Sequence, residues 1–152
     1  TTSHHEGGHK DTLKNVEETK EFVVNMATWE LREEVNTTAT DFDRGVSEIL
    51  QAKLSTLNSN IVRPHRILGS PIHLECMHYQ TVDLPVIDKK HTNKVIIGKV
   101  VGIHIDDSII VDGKIDATKF RPIARMGYDE YCVVERIFKM KRGYVQPGSI
   151  RV

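Results

Sequence analysis

The chain is poor in charge of one sign, in sulfur, in aromatic surface and in long apolar runs, and each shortage argues against a class of function. Its 21 Lys and Arg cancel its 21 Asp and Glu, so no long-range field gathers polyanions and a general nucleic-acid binder is disfavoured. The longest apolar runs, such as VIIG and SIIV, fall far short of the roughly 20 residues that cross a bilayer. No signal-peptide pattern opens the sequence. The expectation is therefore a cytoplasmic protein with neither a membrane nor a nucleic acid as partner. Cys76 and Cys132 stand outside any CxxC spacing, which speaks against a disulfide framework and a thiolate metal site. Both read as core thiols. Aromatic residues make up 6%, and none interleaves with the small basic cluster of Arg63, His65 and Arg66, which reads as a solvated rim. A nucleophile elbow, a Walker loop and a paired-carboxylate pattern are all missing, so hydrolytic chemistry has no foothold.

What is present suits one α+β domain over residues 1–152, mainly β with an antiparallel sheet. At 152 residues such a domain buries roughly 70% of the surface of its unfolded chain. Asp11 or Thr12 is placed to cap a helix that runs to about Glu18. EFVVNM then reads as a short buried strand, and TWELREEVNTTA as an amphipathic helix capped by Thr28. Residues 41–59 read as an irregular excursion with a possible short helix in VSEILQAKL. IHLECMHYQTV alternates Ile72, Leu74 and Cys76 with His73, Glu75 and Met77, the pattern of a half-buried strand. KVIIGKVVGIHID, residues 94–106, is the strongest strand, rich in β-branched residues. At period two Gly98, Gly102 and His104 share a face, a shallow floor over which a backbone or a flat ligand can lie. Asp112-Gly113 marks a turn, and a short helix and strand follow.

The stretch GGHKDTLKN, residues 7–15, sets a cation, an acid and a hydroxyl at a helix start. A helix N-terminus offers unpaired N–H groups and about half a positive charge. Lys10 adds a full charge, Thr12 a hydroxyl, and the glycines let the backbone wrap an anion. Asp11 opposes this unless it turns back to cap the helix. An ordinary capped helix with a surface lysine explains the same residues.

Four motifs, KDTLKNVEETKEFVVNM, SPIHLEC, VIIGKVVGIHIDD and DGKIDATKFRPIARMGYDEY, in that order, resemble the flavin reductase-like, flavoredoxin-type family of FMN-binding split barrels, over about Lys10 to Tyr131. The resemblance implies a split β-barrel with short peripheral helices and a homodimer with FMN near its interface. It also implies that Lys10 and Thr12 hold the FMN phosphate with the amides of Asp11 and Thr12, with Ser3 a weaker candidate. The activity implied is transfer of a hydride from NAD(P)H to bound flavin and on to a small acceptor or a partner oxygenase. The rival is an FMN-binding electron carrier or a fragment without cofactor. Family members carry further strands, with an Asn-Pro-rich and Ser-rich stretch, ahead of the Lys-Asp-Thr corner. Their absence here leads to the expectation of a fragment, of strands supplied by a partner chain, or of a partly lost site. Gly69 stands before SP where the family has an acid.

Three further constellations remain open. His4, His5 and His9 with Glu6 suit adventitious divalent metal more than a designed site, since no fourth ligand is fixed. His104 reads either as a donor to a nicotinamide or flavin edge or as a barrel histidine. Arg125 reads as a contact to phosphate, flavin or dimer partner, or as a surface ion pair.

Overall fold

The structure, a computed structural model, describes residues 9–87, 92–141 and 143. Helix α1, Asp11–Thr19, buries Leu13 and Val16, three positions apart on one face, and packs that stripe against the sheet. Its end is a left-handed Lys20 (φ 61°) whose amide returns to the Val16 carbonyl, which turns the chain at once into strand β1, Glu21–Asn25. Strands β4, Ile72–Leu84, and β5, Asn93–Ile105, complete an antiparallel sheet in the order β1-β4-β5. A residue without a partner, Val101, interrupts the β4–β5 ladder between the pairs Cys76–Val100 and Glu75–Gly102, and Tyr79 does the same in β4.

That bulge corrects the single-face expectation for Gly98 and Gly102. Gly98 pairs with His78, and a Cβ there would lie 2.4 Å from Phe22 Cζ. Gly102 pairs with Glu75, and its Cβ would meet Ile61 Cδ1 at 3.2 Å. Side chains of this chain fill the space beside both glycines. The face of β4 that the alternation marked as polar is also the buried one: His73 is 4% and Glu75 0% exposed.

Between β1 and β4 the chain forms helices α2, Arg32–Thr38, and α3, Glu48–Gln51, then an arm whose short strands β2, Thr56–Leu57, and β3, Arg66–Ile67, pair with each other. Thr28 does not cap α2. Leu31 stands at the N-cap with no side-chain bond, because Thr28 is bridged to Pro122 and the Trp29 amide bonds the Arg121 carbonyl. After β5 come a 3-10 turn, Asp107–Ile109, and a hairpin of β6, Ile110–Val111, and β7, Lys114–Ile115. Asp112 and Gly113 close it with φ 50° and 72°, the pair of positive values that a two-residue type I′ turn requires. Helix α4, Ala117–Phe120, capped by Asp116, leads to the hairpin of β8, Ile123–Gly127, and β9, Glu130–Val133.

Cys76 is buried, as a core thiol should be, but Cys132 on β9 is exposed. Along β5 the apolar residues Val95, Ile97, Val100, Ile103 and Ile105 are all exposed, Ile103 at 62%. Among the described residues no helix is long and apolar enough to cross a membrane.

Candidate functional site

Two regions carry the chemistry. At the first, Lys10 is the N-cap of α1 in extended backbone, and its carbonyl accepts the Leu13 and Lys14 amides at 3.0 and 3.3 Å. Neither Asp11 nor Thr12 caps the helix; the backbone alone makes the turn. Asp11 faces cations instead, with its Oδ1 3.9 Å from Lys14 Nζ and 3.9 Å from Arg44 Nη1, while Lys10 Nζ lies 3.4 Å from Asp41 Oδ1. These are exposed pairs worth about 0–1 kcal/mol each, weak enough to be exchanged for a stronger anion. Glu48 of α3 completes the surroundings. Burial, followed by the charge of Asp11, raises its carboxyl above the ordinary value against the opposing pull of Lys10. Among the described residues the Thr12 hydroxyl and the amides of Asp11 and Thr12 meet no acceptor, as the first turn of a helix leaves its donors.

The second region is built by strand pairing across the sheet. The Glu75 carboxylate is wholly buried and accepts the consecutive amides of Asn60 (2.8 Å), Ile61 (2.7 Å) and Val62 (3.0 Å), together with His104 Nε2 at 2.5 Å. Burial alone would raise its pKa, but the Asn60 amide, the His104 ring and the Val62 and Ile61 amides override that and hold it at about 2. An ionised carboxylate only accepts, so His104 carries its hydrogen on Nε2. Beside it, His73 Nδ1 lies 2.8 Å from Asn25 Oδ1, which also takes the Ile67 amide at 2.9 Å. The amide oxygen likewise only accepts, and so places the His73 hydrogen on Nδ1. Burial first, then Arg66 and His104, lower the His73 pKa, so this ring is neutral at pH 7. The two imidazoles meet edge to face at 6.1 Å between centroids.

Both rings line a cavity of about 670 Å³, whose walls include Leu57, Leu68, Ile103 and Phe120, within the size range of small-molecule sites. The structure thus gathers Lys10, Asp11 and Thr12 at one corner and places His104 on the cavity floor; none of the three, and not Arg125, lines that cavity. Arg125 lies on β8, stacked 5.8 Å over Tyr131 and bonded to the Tyr128 carbonyl of its own hairpin. Ser3, like His4, His5, Glu6 and the glycines 7 and 8, lies outside the described residues. Among the described residues no three His, Cys, Asp or Glu side chains are grouped to hold a metal. The basic cluster is a solvated rim, with the Arg63 side chain 74% exposed, and its arginines are held in place: Arg63 grips Glu21 and the Thr19 carbonyl, and Arg66 the Asn58 carbonyl. Sequence reasoning missed Glu75, His73 and Asn25. The available signal was an acid inside an apolar strand motif, HLEC.

The family model described as the flavin reductase like domain matches residues 7–118. An uncharacterised protein of Aquifex aeolicus is 37% identical over 123 residues, 80% of this chain and 60% of its own length. The chain spans about 52–68% of the length of the curated relatives it matches. The crystal structure of nitrilotriacetate monooxygenase component B from Bacillus cereus is similar with a TM-score of 0.83 at 26% identity, covering 92% of this chain and 70% of that one. A split-barrel-domain protein of Shewanella frigidimarina is similar in fold alone, with a TM-score of 0.73 at 18% identity over 87% of this chain and 65% of its own. The α+β, mainly β architecture is therefore that of the split barrels.

Proposed function

The chain belongs to the flavin reductase-like domain family, and from that premise we propose that it binds FMN by its phosphate at Lys10–Thr12 and works as an NAD(P)H-dependent flavin oxidoreductase. The start of α1 carries this reading. Its consecutive residues Lys10, Asp11 and Thr12 supply an ammonium, a hydroxyl and the first amides of the helix, a donor set that fits a phosphate dianion. Asp11 does not spoil the fit, because Lys14 and Arg44 flank its carboxylate. Ser3 and Arg125 are weaker candidates for the same cofactor. Flavin, when bound, supplies the electron chemistry. The chain's own residues supply binding and orientation, and His104, its ring fixed by Glu75 through Nε2, is a further candidate for contact with the nicotinamide or flavin edge. The name of the Bacillus cereus protein, a monooxygenase component, supports a partner oxygenase as the acceptor of reducing equivalents. The exposed apolar side chains of edge strand β5, Val95 and Ile97 on one face and Val100, Ile103 and Ile105 on the other, support a homodimer in which a second copy packs at this edge, and the charge balance suits a cytoplasmic protein.

The test is an absorbance spectrum of the purified chain loaded with FMN, before and after NADH or NADPH under anaerobic conditions. Flavin bands that shift on binding and bleach with either nucleotide are the expected result. Binding without bleaching leaves a carrier and removes the reductase; no binding removes both.

A further inference from the structure

After β9 the chain leaves its own body. The last tie is the Val134 amide, which donates to the Pro122 carbonyl at 2.9 Å. Among the described residues, 135–141 have no hydrogen-bond or ion-pair partner in the chain. This arm nevertheless carries Phe138 and Met140 at 83% and 84% exposure, with Ile137 beside them. Large apolar side chains so crowded and so wet mark a contact surface. Arg136, Lys139 and Lys141 against the single acid Glu135 make the arm basic. A complementary surface lies elsewhere on the chain. Between α2, α3 and β1 runs a groove of about 270 Å³, walled by Met26, Leu31, Val35, Ile49, Leu54 and Ile67. Among the described residues its only charged members are Glu34 and Glu48. Neither helix has a fully buried residue, so their apolar sides are half covered. On α2, Glu34 and Thr38 face this groove, while Arg32 and Asn36 line a separate hollow with Val133. The arm of the same chain therefore departs from across the helix.

We infer that the arm 135–141 of one copy docks in the α2–α3 groove of a second copy, with Phe138 as its apolar anchor and Lys139 and Lys141 set against Glu34 and Glu48. Polarity and charge both select this occupant. An apolar groove with an acidic rim takes an apolar segment with basic neighbours and repels an acidic one. The long lysine stems let the ammonium groups reach the rim while Phe138 fills the groove. Every copy carries both arm and groove, so the exchange is reciprocal and closes as a two-fold dimer. The contact rests on the homodimer reading for its second copy, and it uses residues apart from β5.

The experiment is sedimentation velocity of the full chain over a range of concentrations. Phe138→Asp should raise the dimer dissociation constant at least about tenfold, the scale of one large apolar side chain left in water. Two charge-reversed variants then test the pairing: Lys139→Glu with Lys141→Glu in the arm, and Glu34→Lys with Glu48→Lys in the groove. Each alone sets like charge against like and should dissociate more readily than the wild type. Mixed in equal amounts they should recover the wild-type constant, because in the mixed dimer each arm again meets a groove of opposite charge. Variants that had lost their fold could not give that recovery. Two weakened variants that stay weak when mixed overturn the pairing. A dimer indifferent to Phe138→Asp and to both reversals, yet loosened by Ile103→Lys on β5, overturns the arm contact and leaves the β5 edge standing. A wild-type chain that is monomeric at every concentration overturns both.

Discussion

The α1 corner and the cavity floor use the same groups, a carboxylate, a cationic or imidazole partner and consecutive amides, in opposite ways. At the corner the charges are exposed, loosely paired at 3.4–3.9 Å, and each can change partner. On the floor one carboxylate, Glu75, is fully buried and saturated by three amides and a ring nitrogen. A binding corner has to keep donors unspent; a floor that orients a ring has to spend them all. The difference separates a site whose loss weakens a ligand from one whose loss weakens the protein.

The sharpest way to break that contrast is Glu75→Ala. It strands three amides and His104 in a buried place and unclasps the 58–62 arm from the sheet. Removing one partner of a buried charged pair costs about 3–5 kcal/mol. Urea unfolding should show a loss of that size, with Glu75→Gln intermediate because one carbonyl acceptor remains. A loss under about 1 kcal/mol would mean that the floor is no more committed than the corner.

The reverse experiment acts on the corner. Lys10→Ala with Thr12→Ala should leave unfolding stability nearly unchanged, since the Lys10–Asp41 pair is exposed and such pairs contribute about 0–1 kcal/mol. FMN affinity should fall, because each hydrogen bond to an ionised group is worth about 1.5–3 kcal/mol. Riboflavin, which has no phosphate, should be indifferent. Equal losses for FMN and riboflavin in fluorescence titrations would remove the phosphate assignment.

The same contrast explains what the sequence made legible. Lys10, Asp11 and Thr12 are consecutive, so their joint chemistry is visible in one line of text. Strands β1 and β5 and the Asp112-Gly113 turn announce themselves through local periodicity and turn chemistry. The floor draws on Asn25, residues 60–62, His73, Glu75 and His104, which only strand register brings together. That register includes the Val101 bulge, and nothing local in KVVGIHI reveals an extra residue. Thr28 failed as a cap for a related reason. Its own sequence context favours a helix start, but the bridge to Pro122, 94 positions away, claims its backbone.

The smallest effect is the one that tests whether the corner is poised for an added anion. Glu48, near Asp11, has its carboxyl raised by burial and then by Asp11, with Lys10 opposing. Above the unfolded value of 4.5 the folded chain therefore holds more proton than the unfolded one, and stability falls as pH rises until the folded Glu48 has ionised. Glu75 has the opposite sign. With a folded value of about 2 it adds stability above the unfolded value of 4.5, and that stability is lost as pH drops from there toward 2. Between pH 4.5 and 7 Glu75 is silent, His73 with its lowered pKa makes stability rise with pH toward its unfolded value of 6.5, and the opposing downward slope belongs to Glu48. Glu48→Gln should flatten it, with a change at pH 7 on the scale of a surface substitution, about 0.5 kcal/mol. Lys10→Ala should steepen it, because the one group that favours the ionised form is gone. A bound phosphate adds a further negative charge beside Glu48, so FMN should bind the Gln variant more tightly at pH 7 and by less at pH 5. Urea midpoints and FMN titrations across that range decide it: an unchanged slope would remove Glu48 as its source, and an FMN affinity indifferent to Glu48→Gln at both pH values would mean that the phosphate does not sit at this corner.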